Sequence, residues 1–167
     1  MEFAVGDKVM CPNRGCGTIV AVEHRELVDG FEHYYVIEIH SQRFTLRVPM
    51  HKMEALGIRL VMSPKGLDQV WDTLKERPHR LSDDFKVRQE QIRQKLRSGQ
   101  PLEIAEAVRD LAWREQYAYL TKADAELLAR GRNLLADEVA LVLDMAIVEA
   151  ERMIDEALAA NFAFGSQ

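Results

Sequence analysis

The sequence predicts an α+β protein: a small N-terminal antiparallel β-barrel followed by a C-terminal all-α helical bundle. Up to about residue 60, apolar and polar residues alternate between glycine-containing turns, which is typical of short strands. From Ser63-Pro64 onward, apolar residues recur at helical spacing. The 167 residues are 47% hydrophobic, enough for two small domains with modest cores. We therefore divide the chain into residues 1–60 and 61–167.

The first half contains the signals of four or five short strands. A strand beginning at Asp7 is stopped by turn formers, and a second runs from about Gly17 to Leu27. Asp29-Gly30 then favours a tight hairpin. Two further strands follow, Glu32 to His40 and Arg43 to Val48, each with apolar residues on one face. So many strands in so short a segment predict a strongly bent barrel of SH3 or Tudor type.

Helix signals fill the second half. Pro49 to Ile58 predicts a short helical turn, and Ser63-Pro64 combines an N-cap with a proline at the first helical position. Further helix starts are predicted at Ser82, Gln100-Pro101, Thr121 and Ala146. Acidic residues along these helices, Asp110 among them, are interpreted as solvated faces. The spacing predicts a compact bundle.

Composition limits the function classes. The first twenty residues carry charges and several glycines, so they predict neither a signal peptide nor a membrane span. Two cysteines make no disulfide framework, which favours a reducing, cytoplasmic location. Net charge is −1 over residues 1–60, +3 over 61–97 and −7 over 98–167. The basic segment suits limited contact with a polyanion, or is an ordinary solvated helix face.

Enzyme motifs are absent from the sequence. Gly15-Cys16-Gly17 lacks the Lys-Ser/Thr of a phosphate-binding loop. The spacing of Cys11 and Cys16 does not fit a zinc knuckle, and the five histidines form no i,i+4 pair. We therefore expect no enzymatic activity, no cofactor and no metal.

The order of several motifs resembles one protein family. The N-terminal half is similar to the N-terminal module of the CarD/CdnL bacterial transcription regulators, and to the polymerase-binding domain of the transcription-repair coupling factor. The motifs there are Phe3-x-Val5-Gly6-Asp7-Lys8-Val9, Gly15-x-Gly17-Thr18-Ile19, Tyr34-Tyr35-Val36-Ile37 and Arg47-Val48-Pro49. Those in the helical half are Gly66-Leu67-Asp68, Ala107-Val108-Arg109-Asp110-Leu111 and Leu134-Leu135-x-Asp137-Glu138-Val139-Ala140. The resemblance covers about Met1 to Ala160.

The resemblance implies a polymerase-binding site in the barrel. Arg25 and Arg47 stand at positions where the family's module uses arginines to hold the β subunit of bacterial RNA polymerase. Leu27 would add an apolar anchor, and a strand edge would offer backbone groups for pairing. The alternative is that both arginines are solubilising edge residues.

The resemblance also implies a DNA contact. The family's corresponding helix places a tryptophan in the minor groove at the upstream edge of the transcription bubble, and Phe85 falls at that position here, followed by Lys86 and Arg88. Phenylalanine covers less base surface and lacks the indole N–H, and Asp83 and Asp84 would repel phosphates. Phe85 is alternatively a core residue, in line with Ile92 and Leu96.

These observations predict a monomeric, non-enzymatic transcription regulator. It would bind the RNA polymerase β subunit and promoter DNA, with no membrane association, and would stabilise the open complex. The alternative is a protein-protein adaptor that binds polymerase or another protein without touching DNA. A purely structural or dimerising protein is a third hypothesis.

Overall fold

The computed structural model describes residues 2–27 and 30–162, except for the side chains of Leu27 and Phe31. Within it the chain divides into two compact units, Met1–Val61 and Met62–Gln167. The first is a β-sheet and the second is helical. Each unit is described separately below.

The sheet has five strands, and every neighbouring pair is antiparallel. In chain order they are β1 (Lys8–Cys11), β2 (Gly15–Leu27), β3 (Gly30–Ile39), β4 (Phe44–Pro49) and β5 (Arg59–Leu60). Their spatial order is β4-β3-β2-β1-β5. Leu27 pairs with Gly30, while the residues between them, and with them the predicted hairpin turn at Asp29, lie outside the described part of the chain.

The α+β class is confirmed, but the prediction of a barrel is wrong because the sheet does not close. β4 and β5 form its two ends, and no ladder joins them within the described residues. β5 has only two residues, which pair with Val9 and Met10 of β1. Such a strand is too short to show an alternating pattern, and it was not predicted.

A 3-10 turn, Met50–Lys52, begins where the short helical turn was expected.

The pairing of β2 with β3 contains an irregularity. The register shifts between Ile19 and Ala21, which is the signature of a bulge, and bulges bend and twist a strand. Nearby, a Cβ on Gly17 would lie 2.6 Å from the carbonyl oxygen of Glu38, so only glycine fits this approach. One face of the bent sheet buries the core of the unit: Val9, Cys11, Ile19, Tyr35, Ile37, Ile39, Val48, Met53 and Ile58.

The second unit contains five helices. They are α1 (Pro64–Lys75), α2 (Phe85–Ser98), α3 (Pro101–Tyr117), α4 (Lys122–Leu143) and α5 (Ile147–Ala159). Ser63 caps α1 and Thr121 caps α4, as predicted. The cap of α2 differs: Asp84 accepts from the backbone N–H groups of Lys86 and Val87, so Ser82 is not the N-cap. Ser82 instead accepts from the N–H of Asp84.

Buried charges connect the helices. Asp110, predicted on a solvated face, is buried and accepts from the Arg109 guanidinium and from the backbone N–H of His79, both at 2.9 Å. Arg109 also donates to the carbonyl of Thr73 in α1. Glu138 is buried as well and accepts from the N–H of Met62 at 2.7 Å. The motifs at residues 107–111 and 134–140, which resemble those of the CarD/CdnL family, therefore contain buried residues that hold the helical unit together.

Candidate functional site

Two arginines meet on one face of the sheet. Arg47 of β4 donates to the Glu23 carboxylate at 3.0 Å, and Arg25 of β2 approaches the same carboxylate at 3.8 Å. The Arg25 guanidinium also lies over the ring of Tyr34 on β3, 5.5 Å from its centroid. We call these residues, together with Glu32, the Arg25–Arg47 face. The positions predicted to bind a partner are thus adjacent across three strands.

The arginines of this face remain accessible to a partner. Their side chains are 54% exposed for Arg25 and 44% for Arg47. The hydrogen bond from Arg47 lowers the pKa of the Glu23 carboxyl. Tyr34 donates to Glu32 at 2.9 Å, and this hydrogen bond raises the pKa of the Tyr34 hydroxyl. The face therefore presents two guanidinium groups whose orientations are set by neighbouring acidic side chains.

Beside this face lies a strand edge. β4 is the end strand of the sheet, and β3 is its one hydrogen-bonded strand neighbour in the described residues. End strands can accept an extended segment from another protein. Arg47 is on this strand, so a segment that pairs with β4 would lie close to its side chain. The third predicted residue, Leu27, ends β2, and its side chain lies outside the described part of the structure.

Phe85 is the first residue of α2 and is exposed. Its side chain is 53% accessible, which rules out the alternative of a core residue in line with Ile92 and Leu96. Lys86 and Val87 beside it are also exposed. Side chains in a helix point back over the turn that precedes them. Phe85 lies in the first turn of α2, so its ring has no preceding turn of this helix to pack against. An aromatic ring and a cation are therefore presented together at the start of α2.

The two aspartates before Phe85 are occupied by intramolecular contacts. The carboxylate of Asp84 caps α2, and that of Asp83 pairs with Arg114 of α3 at 3.3 Å. These contacts offset part of the negative charge that would oppose a phosphate near Phe85.

Arg88 does not reach the surface, contrary to the prediction that it binds DNA. It is 2% exposed and forms a two-pronged ion pair with Asp124 of α4, at 2.9 and 3.1 Å. Its remaining donor group bonds to the backbone carbonyls of Ser82 and Asp83. A guanidinium enclosed in this way cannot neutralise a phosphate. Its position is suited to fixing the segment that presents Phe85.

The basic character of α2 is smaller than its composition suggests. Lys95 pairs with Glu106 at 2.8 Å, and Arg97 pairs with Glu90 at 2.9 Å. With Arg88 buried, three cations of this helix are engaged within the unit. Lys86 is the exposed cation next to Phe85.

Two domain families match this chain. Residues 3–62 match the domain described as the CarD-like/TRCF RID domain, and residues 69–155 match the CarD C-terminal domain. The chain belongs to the CarD family. It is similar to a Bacillus subtilis (strain 168) protein named "Putative transcription factor YdeB", with 27% identity over 143 residues, 84% of this chain and 92% of that protein.

Membership of the CarD family makes this chain a transcription regulator, and its first domain is of the class that interacts with RNA polymerase. The Arg25–Arg47 face lies in that first domain, and Phe85 lies in the CarD C-terminal domain.

Both cysteines lie in the interior of the sheet unit. Both are free thiols in the interior, and burial raises the pKa of Cys11 to about 11. A thiol with that pKa is protonated at neutral pH, whereas metal binding and nucleophilic attack need the thiolate.

Across residues 2–27 and 30–162, no helix has the length and hydropathy needed to cross a membrane.

The residues that position Phe85 were missed by sequence reasoning. Asp124 is fully buried and accepts from Arg88, while Gln89 donates to Asp124 and to the hydroxyl of Thr121. Thr121 and Asp124 also form the capping box of α4. The capping-box pattern, Thr followed three residues later by an acidic residue, was visible in the sequence. The second role of Asp124, as the partner of Arg88, was not visible in the sequence, because 36 positions separate the two residues.

Acid should destabilise the helical unit through Asp124. Burial alone would raise the pKa of this carboxyl, but hydrogen bonds from Arg88, Thr121 and Gln89 outweigh burial and lower it below the usual 3.8. The unfolded chain therefore takes up the proton more readily, so the stability contributed by Asp124 is present above pH 3.8 and is lost as the pH falls through the lowered pKa.

The measurement is urea unfolding at several pH values between 7 and 3, in the parent and in Asp124→Asn. Loss of stability on acidification should be smaller in the variant, whereas Asp155→Asn, which changes an exposed ion pair with Arg132, should follow the parent. Equal pH dependence of the parent and Asp124→Asn would contradict this assignment.

Proposed function

We propose that this chain is a non-enzymatic bacterial regulator that binds RNA polymerase and promoter DNA at once and stabilises the open promoter complex. The Arg25–Arg47 face would bind the β subunit, and the start of α2 would contact DNA at the upstream edge of the bubble. The protein would act as a monomer in the cytoplasm. The observation that carries the proposal is the exposed Phe85 at the first position of α2, beside Lys86.

The polymerase contact is supported by the chemistry of the Arg25–Arg47 face. Arginine is enriched among the residues that dominate interface energetics, and its planar donor group suits carboxylates. Here two such groups stand together beside the end strand β4. A partner strand added to β4 would provide backbone hydrogen bonds, and acidic side chains on that partner would meet the arginines.

The DNA contact is supported by the combination of an apolar ring and an exposed cation, Lys86, next to it in the sequence. An aromatic side chain inserted against a partly unstacked base step hinders reannealing of the strands. Lys86 would contact a phosphate without reading a base. Because so few cations are exposed near Phe85, binding to DNA alone should be weak, and the affinity should come from polymerase.

Replacing Phe85 by alanine is expected to shorten the lifetime of the open complex by about tenfold, since base-aromatic stacking contributes roughly 1–3 kcal/mol per base. Phe85→Trp, with its larger ring and an indole N–H, should lengthen that lifetime. The measurement is the decay of a preformed polymerase-promoter complex after a competitor is added, at saturating regulator.

Phe162→Ala provides the control, because it removes the same ring from another exposed position of the helical unit, at the end of the chain that the structure describes. It should leave the lifetime unchanged. Binding of all three variants to polymerase without DNA should equal that of the parent. Identical lifetimes for Phe85→Ala and the parent would remove the wedge from the proposal.

The second candidate, an adaptor without DNA contact, is favoured by the burial of Arg88 and the ion pairs of Lys95 and Arg97. Lys86→Glu distinguishes the two. If DNA is touched, this variant should lose part of its effect on the open complex while binding polymerase normally. If the protein is an adaptor, polymerase binding and complex lifetime should both be unchanged. Charge reversal at Arg88 cannot serve here, because it would disrupt the interior.

A further inference from the structure

Two histidines face each other across the β2–β3 hairpin. His24 and His33 are directly opposite in the antiparallel register, their rings are nearly perpendicular, and the ring centroids are 4.3 Å apart. Their Nδ1 atoms are in direct contact, and both residues lie at the exposed surface. Because successive side chains of a strand alternate, this pair is on the opposite side of the sheet from Arg25.

We propose that His24 and His33 form a binding site for a divalent transition metal ion. A neutral imidazole has one nitrogen with a free lone pair and one that carries the proton. The strand register and the ring contact bring the two Nδ1 atoms together, and a metal ion can accept one lone pair from each of them. The backbone pairing of the strands holds the two histidines opposite each other, so only their side chains need to adjust when an ion binds.

The geometry requires only a small adjustment of the rings. Metal-nitrogen bonds to histidine are about 2.0–2.1 Å, so two ligands at 90° to 109° around one ion have nitrogens roughly 2.9–3.4 Å apart. The Nδ1 atoms are closer than this, and a modest rotation of two exposed side chains separates them. Residues directly opposite on antiparallel strands have Cβ atoms about 4.5–5.5 Å apart, which permits a two-histidine chelate.

The ligand set defines which ions would bind. Imidazole suits Cu²⁺, Ni²⁺ and Zn²⁺, and affinity for divalent ions peaks at Cu²⁺. Magnesium and calcium prefer oxygen ligands and should not bind here. Among the described residues, no group of three or more His, Cys, Asp or Glu side chains is placed to hold a metal. The site therefore has two protein ligands, with water completing the coordination, and the bound ion should exchange readily.

Metal binding would also cross-link β2 and β3, the two strands that carry Arg25 and Tyr34 on their other side. Arg25 follows His24 in β2, and Tyr34 follows His33 in β3. An ion held by both strands would therefore reduce the opening of the hairpin where Arg25 and Tyr34 stack. The metal site itself does not depend on the proposed polymerase contact.

The test is a titration of the whole chain with Cu²⁺, Zn²⁺ and Mg²⁺, in which calorimetry measures the affinity for each ion. Cu²⁺ should bind most tightly, Zn²⁺ more weakly and Mg²⁺ not detectably. His24→Gln and His33→Gln should each lose about a hundredfold in Cu²⁺ affinity, because each converts a chelate into a single ligand. The controls His40→Gln and His51→Gln remove exposed histidines elsewhere in the same unit and should bind as the parent does.

Electron paramagnetic resonance of the Cu²⁺ complex supplies a readout of the ligands. The parent should show hyperfine coupling to two imidazole nitrogens, and each single variant should lose one. Circular dichroism of the metal-free variants should match the parent, since both positions are on the surface. Unchanged Cu²⁺ affinity in His24→Gln and in His33→Gln, or a one-nitrogen spectrum in the parent, would overturn the proposal.

Discussion

Replacing Arg88 by alanine is expected to lower the free energy of unfolding of the helical unit by about 3–5 kcal/mol, the usual cost of removing one partner of a buried ion pair. The change would leave the Asp124 carboxylate buried without the guanidinium that compensates its charge. It would also release the carbonyls of Ser82 and Asp83 from their donor. The effect should therefore be larger than that of a surface substitution.

Tryptophan fluorescence during urea unfolding reports this loss selectively, because the two tryptophans, Trp71 and Trp113, are both in the helical unit. Arg152→Ala is a matched control: Arg152 pairs with Glu156 on the surface of α5, and such pairs contribute only about 0.3–0.5 kcal/mol. The Arg88→Met, Asp124→Asn double variant should regain part of the stability lost by Arg88→Ala, because no unpaired charge remains and the asparagine carbonyl can still accept from the Thr121 N–H. A cost below about 1 kcal/mol for Arg88→Ala would contradict the structural role assigned to this pair.

Reversing the charge of Arg47 or Arg25 is expected to weaken binding to polymerase by about 2 kcal/mol, roughly thirtyfold, as for central interface arginines. Arg47→Glu would replace the partner of Glu23 by a like charge and would repel an acidic partner. Arg25→Glu would remove the guanidinium from above Tyr34. The measurement is the affinity of purified RNA polymerase for each variant, at a fixed salt concentration.

A charge reversal elsewhere in the sheet unit, at Lys8, serves as the control. Lys8 is exposed at the start of β1, and Lys8→Glu should bind polymerase nearly as the parent does. If both arginine variants retain full affinity, the docking surface lies elsewhere on the chain. Circular dichroism of each variant should confirm that the sheet is intact, because all three side chains are on its surface.

Sequence reasoning succeeded where the signal is local. Alternation gave β2, β3 and β4, and caps such as Ser63 and Thr121 gave the starts of their helices. It failed for β5, which has two residues and owes its existence to pairing with β1. It also chose Ser82 over Asp84 as the cap of α2, because both residue types cap helices and only the local geometry decides between them.

The candidate site shows the same limit. A basic residue in a helix is expected at the surface, so Arg88 was grouped with Lys86. Its true environment depends on Asp124, which belongs to a different helix and only the tertiary fold brings near. For Phe85 the sequence allows both a core and a surface position, since spacing alone does not reveal whether another element covers the first turn of a helix. The structure decides this point in favour of exposure.

The end strand β4 has a further consequence, for the solubility of the chain. An end strand with available backbone groups can pair with any extended segment, including β4 of a second copy. The long charged side chain of Arg47 and the terminal Pro49, which has no N–H to donate, both oppose such pairing. An apolar residue at Arg47 would therefore favour aggregation, whereas glutamate preserves a charge there. The side chain proposed to recognise polymerase would thus also oppose pairing of β4 between copies of the protein.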